Sequence, residues 1–421
     1  MPQLPNTIIY KPLSLKKNSI YMFGGQMFRL SIQFFYFVLI ARALGSQQYG
    51  VFIATTSLVA IVAPFASWGS GNLLVKHVSR TPVVFPTYWG SAVATTLTSS
   101  AILCLLLLAI GQLILPKGTP LAVLMLFAIS DLLFARLIDV SSQAFQAFER
   151  LDRTSAIQVL PSLLRLVSAV FLFLLPIPKT AYTWSFLFLA ATIISAILAM
   201  VWVRRELGWG TLSLRPILAE IKAGGAFSIS LSAQSIYNDI DKTMLARMVS
   251  SEAAGVYAAA YRIIDVAFTP VRAVLYASYA KFFQHGEQGI KSNLRYAMTL
   301  LPWATLYSGI IGVFLFFIAP VLPIMFGKDF EASVNVLRWL APLILLKSIH
   351  SFLADTLTGA NYQFTRSIIQ AVVAFFNVAL NFAILSRFSI KGAIFSSIIS
   401  DFLLLSLLII ASLRITRSFN E

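Results

Sequence analysis

Fifteen ionisable side chains sit inside stretches of the chain that are otherwise apolar. Eight are basic: Arg29, Arg136, Arg165, Lys242, Arg262, Arg272, Arg338 and Lys347. Seven are acidic: Asp131, Asp139, Asp239, Asp241, Asp265, Asp355 and Asp401. The segment SIYNDIDKTMLARM, residues 235–248, gathers two aspartates, a lysine and an arginine. The chemistry open to such residues is recognition and ion handling. A guanidinium is planar and forked, suited to bidentate contact with phosphate, and a buried carboxylate can take up a proton or another cation. Bond-making sets are absent: there is no HExxH, the three histidines are scattered, and no GxxxxGK[ST] phosphate loop occurs.

The elements that carry these charges are transmembrane helices. The chain has 421 residues, a mean hydropathy of +0.82, 58% hydrophobic and 11% charged residues, and runs of twenty or so apolar residues recur along its length. Twelve spans are expected, at 19–41, 51–74, 87–114, 120–146, 155–175, 181–203, 223–247, 255–280, 294–320, 334–358, 366–386 and 391–413. Breakers mark the joints, among them Leu44-Gly45, Pro116-Lys117-Gly118 and Pro176-Ile177-Pro178. The first run is too long for a signal-peptide core and is read as a retained helix. The lone Cys104 excludes an internal disulfide.

Basic residues outside the spans set the orientation. The amino terminus, the even-numbered loops and the carboxyl terminus hold seventeen, from Lys11, Lys16 and Lys17 to Arg414 and Arg417. The odd-numbered loops hold seven: Arg42, Lys117, Lys179, Arg247, Lys328, Arg387 and Lys391. The bias places both termini in the cytoplasm, and an even number of spans agrees.

An internal repeat divides the chain. ARALGSQQYGVFIAT (41–55) and ARMVSSEAAGVYAAA (246–260) align at a shift of 205, matching Ala41-Arg42 with Ala246-Arg247 and Gly50-Val51 with Gly255-Val256. A weaker echo pairs Ser155–Gln158 with Ser367–Gln370. Six spans separate the copies, so both halves enter the membrane from the same side, and a pseudo-two-fold axis along the membrane normal should relate them. The expected architecture is all-α. A cytoplasmic segment 1–18 leads into a six-helix lobe 19–203, a basic linker 204–222, a second six-helix lobe 223–413 and a tail 414–421.

At about 3 kcal/mol each, fifteen charges facing lipid would cost on the order of 45 kcal/mol, so they must face a hydrated interior or one another. At 100° per residue, Arg262, Asp265, Thr269 and Arg272 fall within about 80° of arc. Asp131, Arg136, Asp139, Ser142, Gln143 and Gln146 span about 140°, and Asn238, Asp239, Asp241 and Lys242 about 160°. Pro64 and Pro270 mark breaks or bends within the second and eighth spans. Arg136 with Asp139, and Arg262 with Asp265, stand at i,i+3 spacing and can neutralise each other. Arg29, Arg165, Arg272 and Lys347 have no acid at helical spacing in their own spans and are candidates for binding an anionic cargo. Asp239, Asp241, Asp265 and Asp401 are candidates for a coupling proton or sodium ion. His350, one turn beyond Lys347, is either a proton carrier or a hydrogen-bonded histidine.

Three segments carry a family resemblance: GGQMFRLSIQFFYFVLIARALGSQQYGVF, NDIDKTMLARMVSSEAAGVYAAAYRI and MFGKDFEASVNVLRWLAP. Their order and spacing resemble the polysaccharide-unit (Wzx-type) flippases of the multidrug/oligosaccharidyl-lipid/polysaccharide (MOP) exporter superfamily, over essentially the whole chain. The resemblance implies a flippase of the bacterial inner membrane that moves an undecaprenyl-pyrophosphate-linked oligosaccharide to the outer leaflet, for O-antigen (lipopolysaccharide), capsule or related glycans. It implies alternating access driven by a H+ or Na+ gradient, no cofactor, and a cationic lumen with Arg29, Arg136, Lys242, Arg262, Arg272 and Lys347 as candidates; Arg165 joins them from the fifth span, which is not among the spans implied to line it. The implied partners are the lipid-linked anionic oligosaccharide, membrane lipids and other glycan-assembly proteins; nucleic acid is not among them. Peptidoglycan-precursor flippases of the superfamily usually have fourteen spans. Drug-exporting relatives also have twelve, but so many buried arginines suit cationic drugs poorly. A membrane-embedded glycan polymerase or transferase is the rival from another class, and the short, acid-poor outer loops speak against an enzyme.

Overall fold

The computed structural model of the chain describes residues 15–211 and 221–418, which are almost entirely helical, with no strand among them. The amino-terminal segment before Leu15, linker residues 212–220 with Arg215, and the last three residues lie outside the described part.

Among the described residues thirteen helices of eight residues or more carry the fold: α1 (Leu15–Ser67), α2 (Ser70–Val78), α3 (Phe85–Ile114), α4 (Leu121–Ala147), α5 (Leu151–Leu174), α6 (Ala181–Glu206), α7 (Ile221–Met248), α8 (Ser251–Ala267), α9 (Thr269–Gly286), α10 (Ile290–Ile318), α11 (Ser333–Leu340), α12 (Leu343–Gly359) and α13 (Gln363–Ser418). Among the described residues, seven helices are long and apolar enough to cross a membrane, or eight if the bent segment Lys328–Leu340 with Leu343–Gly359 counts as one. The chain is therefore a multi-pass membrane protein. The count falls short of twelve because α1 and α13 each run on through a joint, and because α7, α8 and α9 are shorter or more polar. The apolar part of α1 is 47 residues long; straight, it would extend about 70 Å against a hydrocarbon core of about 30 Å. It does not run straight: Gly45, at φ 68° and ψ 171°, breaks the helical path at the joint read from Leu44-Gly45. Ser389, at φ 54° and ψ −135°, does the same in α13, between the expected eleventh and twelfth spans.

Two compact units divide the chain. The first comprises Met1–Leu44 and Thr55–Ser235, the second Gly45–Ala54 and Ile236–Glu421. In the first, a core of Leu74, Val78, Phe85, Trp89, Phe145, Ile157 and Val203 joins α2 through α6. α1 lies against α5 because Gly25 presents no side chain where Ser155 approaches, and Ser155 Oγ donates to Tyr21 O at 3.0 Å. Hydroxyls of α7 reach the α1 carbonyls around Pro64: Ser228 to Pro64 O at 2.9 Å and Ser232 to Ile61 O at 2.7 Å. They supply bonds beside a residue that has no N–H of its own to give.

The second unit holds cores of Leu353, Leu357, Leu404 and Leu408, and of Phe268, Phe282, Ala304 and Phe352. Here the two copies of the repeat meet. A side chain at Gly50 would overlap the Ser251 carbonyl, and one at Gly255 would overlap the Ser46 carbonyl. At a shift of 205, Ser46 corresponds to Ser251 and Gly50 to Gly255, so each copy offers the other the same surface. Glycine at both positions lets the backbones approach closely. The MFGKDF turn packs on the same place: Asp329 lies against Gly45, and Phe330 meets Tyr49 edge-on with ring centroids 5.8 Å apart. Large apolar side chains point outward throughout, with Phe317 73% and Phe375 77% exposed, as lipid-facing helices require.

Candidate functional site

In the first unit the charges close on one another across three helices. α4 contains a π turn, Ile129–Phe134, which carries one residue more than an α turn. Asp131 stands on it. Arg165 of α5 reaches Asp131, Nη2 to Oδ1 at 3.3 Å, and also donates to Thr192 Oγ1 of α6 at 3.1 Å. Ser130 donates to the same Thr192 hydroxyl at 3.0 Å, and the guanidinium lies 3.8 Å from the centroid of the Phe188 ring. The carbonyls near the π turn are taken up by side chains: Ser100 of α3 donates to Leu132 O, and Arg136 Nε donates to Asp131 O at 3.4 Å.

This corrects the straight stripe expected along the fourth span. The extra residue delays everything downstream by about 100°. Asp131 therefore turns towards α5 and α6, while Arg136 closes separately on Asp139 at 2.9 Å. Arg165 has no acid in its own span, as the sequence indicated, yet it finds one on the preceding span. Arg29 lies on the flank of α1 between Gly25 and Gln33, which meet Ser155 and Ser162 of α5; it has no carboxylate partner among the described residues. Replacing Ser100 with alanine should strand the Leu132 carbonyl and cost about 1–3 kcal/mol, measurable as a lowered unfolding temperature in detergent, with Ser100→Thr restoring most of it.

The second unit gathers a denser set. Lys242 of α7 bonds to Asp239 Oδ1 at 2.6 Å and to Asn238 O at 2.9 Å. Its backbone N–H donates to Asp241 Oδ1 at 2.8 Å, and Tyr257 of α8 donates to Asp241 Oδ2 at 2.7 Å. Tyr257 also meets Ser397 of α13, oxygen to oxygen at 2.8 Å. Lys347 of α12 donates to Tyr261 Oη and stands 4.0 Å from Asp265. The ammonium groups of Lys242 and Lys347 lie 4.8 and 4.3 Å from the centroid of the Tyr261 ring, within cation–π range.

The eighth span is interrupted at Phe268, where Pro270 enters the first turn of α9. Thr269 donates to Asp265 O at 3.2 Å and Tyr307 to Ala267 O at 2.9 Å, serving carbonyls at the break. Arg272 consequently sits on a separate helix from Arg262 and Asp265, and the continuous arc expected for them is divided. Its guanidinium is 5.6 Å from the Phe268 ring centroid, and no carboxylate pairs with it among the described residues. Tyr276 and Tyr279 of α9 are exposed.

The carboxylates of the second unit sort by partner. Asp239 and Asp265 each face a lysine. Asp355 is held by Arg366 Nη1 at 3.0 Å, which also donates to Thr358 at 2.7 Å. Asp241 has a phenol and a backbone N–H. Asp401 is buried, and His350 is its one ion-pair contact among the described residues, at 3.6 Å. A neutral buried network lies on α13: Asn377 donates to Ser400 Oγ at 3.0 Å and to Ser396 Oγ at 3.3 Å, and Asn381 to Asn377 Oδ1 at 3.0 Å. Sequence reasoning passed over Asn377 and Asn381, although two amides at i,i+4 in an apolar span are themselves a signal. Thr192, Ser100 and Tyr261 gave none, because hydroxyls and tyrosines are common in membrane helices. Among the described residues no group of three or more His, Cys, Asp or Glu could hold a metal ion.

This arrangement of helices belongs to a known class. The fold is that of MOP-superfamily transporters: an inward-facing multidrug-resistance MATE transporter superposes with a TM-score of 0.73 at 15% identity, covering 93% of this chain and 99% of that one. The lipid II flippase MurJ, in an inward closed conformation, superposes with a TM-score of 0.67 at 13% identity, covering 94% and 87%. The chain belongs to the polysaccharide biosynthesis protein family, whose model matches residues 15–278. It is also 23% identical to the probable low-salt glycan biosynthesis flippase Agl15 of Haloferax volcanii, over 92% of this chain and 81% of that protein.

Proposed function

We propose that this protein is a flippase for a lipid-linked, anionic oligosaccharide, an undecaprenyl-pyrophosphate-linked unit of O-antigen, capsule or a related surface glycan. Membership of the polysaccharide biosynthesis family and the likeness to a glycan flippase support the transport of such a unit. The observation that carries the cargo's charge is the state of Arg29 on α1 and Arg272 on α9: partly buried guanidiniums without a carboxylate among the described residues. An unpaired cation in such a place is costly, and a pyrophosphate headgroup would satisfy it with bidentate hydrogen bonds. Arg136, Arg165, Lys242 and Lys347 already have carboxylate partners. In this reading they shape the passage and exchange partners as the cargo moves.

Counting α1 and α13 as two spans each, α8 with α9 as one and α11 with α12 as one yields twelve. The sequence repeat at a shift of 205 supports reading the chain as two six-helix halves. An ion gradient supplies the energy, with a carboxylate of the second unit carrying H+ or Na+. Both termini face the cytoplasm of a bacterial inner membrane.

Arg272→Glu is the test. It places a negative charge where the headgroup would sit, and it is expected to abolish surface glycan display while the protein still inserts and migrates as wild type in detergent. Arg272→Lys should retain part of the activity. Full glycan display by Arg272→Glu would remove the residue from the cargo path. The alternative, a small-molecule exporter of the same fold, predicts the opposite split: drug tolerance falls in the variant and glycan display does not. A glycan polymerase or transferase would leave unit translocation unchanged and alter glycan length.

A further inference from the structure

We infer that His350 and Asp401 form a binding site for a single proton inside the second unit. The two residues come from different helices, α12 and α13. Nε2 of His350 lies 3.6 Å from Oδ1 of Asp401, with side chains only 11% and 4% exposed. The separation is too long for a hydrogen bond, and His350 Nε2 has no other partner. The Asp401 carboxylate likewise receives no hydrogen bond among the described residues.

Consider the pair without an added proton. A neutral imidazole then faces an ionised carboxylate in a buried place, with a net charge of −1 and no donor bonded to either oxygen. Burying such a charge is expensive. The neighbouring cations do not answer it. Lys347, one turn away on α12, is engaged by Tyr261 and Asp265, and Arg366 is engaged by Asp355 and Thr358. Lys347 and Arg366 are the cations that bear on His350, and no lysine or arginine among the described residues pairs with Asp401. The amides and hydroxyls of Asn377, Asn381, Ser396 and Ser400 bond among themselves on the same hairpin.

One proton resolves the problem. Placed between Nε2 and Oδ1 it neutralises the pair as a whole, and a movement of a few tenths of an ångström would make a hydrogen bond. The chemistry favours a proton over a metal cation, because one imidazole and one carboxylate are too few ligands for Na+ or Ca2+. Departure of the proton leaves a buried charge that water or a shift of α12 against α13 must relieve. Proton occupancy is thereby linked to conformation. The proton site stands on its own geometry; only its role as the coupling site rests on reading the chain as an ion-driven flippase.

Infrared difference spectroscopy tests the site without any cargo. Protein in vesicles of phosphatidylethanolamine and phosphatidylglycerol is titrated with acid, and the protonated-carboxyl band is followed. The expected wild-type result is a band whose midpoint is unaffected when sodium replaces choline. Asp401→Asn should delete it, and His350→Gln should move its midpoint by about one pH unit or more. Asp401→Glu, which keeps a carboxyl at the site, should retain the band at a shifted frequency and serves if Asp401→Asn is unstable. A spectrum unchanged in Asp401→Asn or in Asp401→Glu, deletion of the band by Asp241→Asn instead, or a midpoint displaced by sodium would each overturn the proposal. A glycan-transport assay on the same variants reports separately: loss of transport in Arg272→Glu with the band intact bears on the cargo alone.

Discussion

Asp131→Ala is expected to destabilise the protein by about 3–5 kcal/mol, because it strands Arg165 in a partly buried position with one acceptor hydroxyl remaining. The pair stands at 3.3 Å with 16% and 23% of the two side chains exposed, so rehydration of a stranded charge is restricted while α4 stays packed on α5 and α6. The measurement is thermal or denaturant unfolding in detergent, followed for the two single variants and the double variant. Asp131→Leu combined with Arg165→Met should recover most of the lost stability, since an apolar pair of similar volume carries no desolvation penalty. If the double variant is as unstable as either single one, the π turn needs this ion pair for its geometry and not only for neutrality. If Asp131→Ala alone is harmless, the closed network of Ser130, Asp131, Arg165 and Thr192 is not holding the helices together.

A second large effect is expected where the two repeat copies touch. Gly50→Leu and Gly255→Leu each drive a side chain into a backbone carbonyl, that of Ser251 or Ser46, which cannot swing aside as a flexible side chain would. Overpacking of this kind costs on the order of 1–3 kcal/mol, and more where backbone must move. The two substitutions act on one contact, so they should be strongly non-additive. Once Gly50→Leu has parted the segments, Gly255→Leu should add little. Gly309→Leu is the comparison, since nothing lies within 4 Å of a side chain added there; it should leave stability within about 0.5 kcal/mol of wild type. A double-mutant cycle with additive losses would mean that the two glycines pack independently, and the reciprocal contact would lose its energetic meaning.

The sequence by itself determined the all-helical, membrane-crossing character of the chain, the joints at Gly45 and near Ser389, the break at Pro270, and the list of charges that had to be accommodated. Each of these is local. A twenty-residue apolar run excludes water whatever surrounds it, a proline withholds its N–H in any fold, and an ionised group is expensive wherever lipid would meet it. Even the repeat was readable, because Ser46, Gly50, Ser251 and Gly255 keep one spacing in both copies.

Tertiary structure alone decided which charge answers which. Asp131 and Arg136 belong to one sequence stripe, yet the π turn rotates them apart and hands Asp131 to Arg165. Lys347 and Asp265 lie far apart in the chain and meet beside Tyr261, whereas Arg272 is carried onto its own helix by the break at Phe268. His350 and Asp401 carry no signal at any helical spacing; they become a pair only when α12 and α13 pack. The reason is geometric. A residue type records the cost of burying a charge, but its partner depends on the rotational phase of each helix and on which helix stands beside it. Phase is reset by a single inserted residue or a single proline, and adjacency is set by close contacts such as those at Gly25, Gly50 and Gly255.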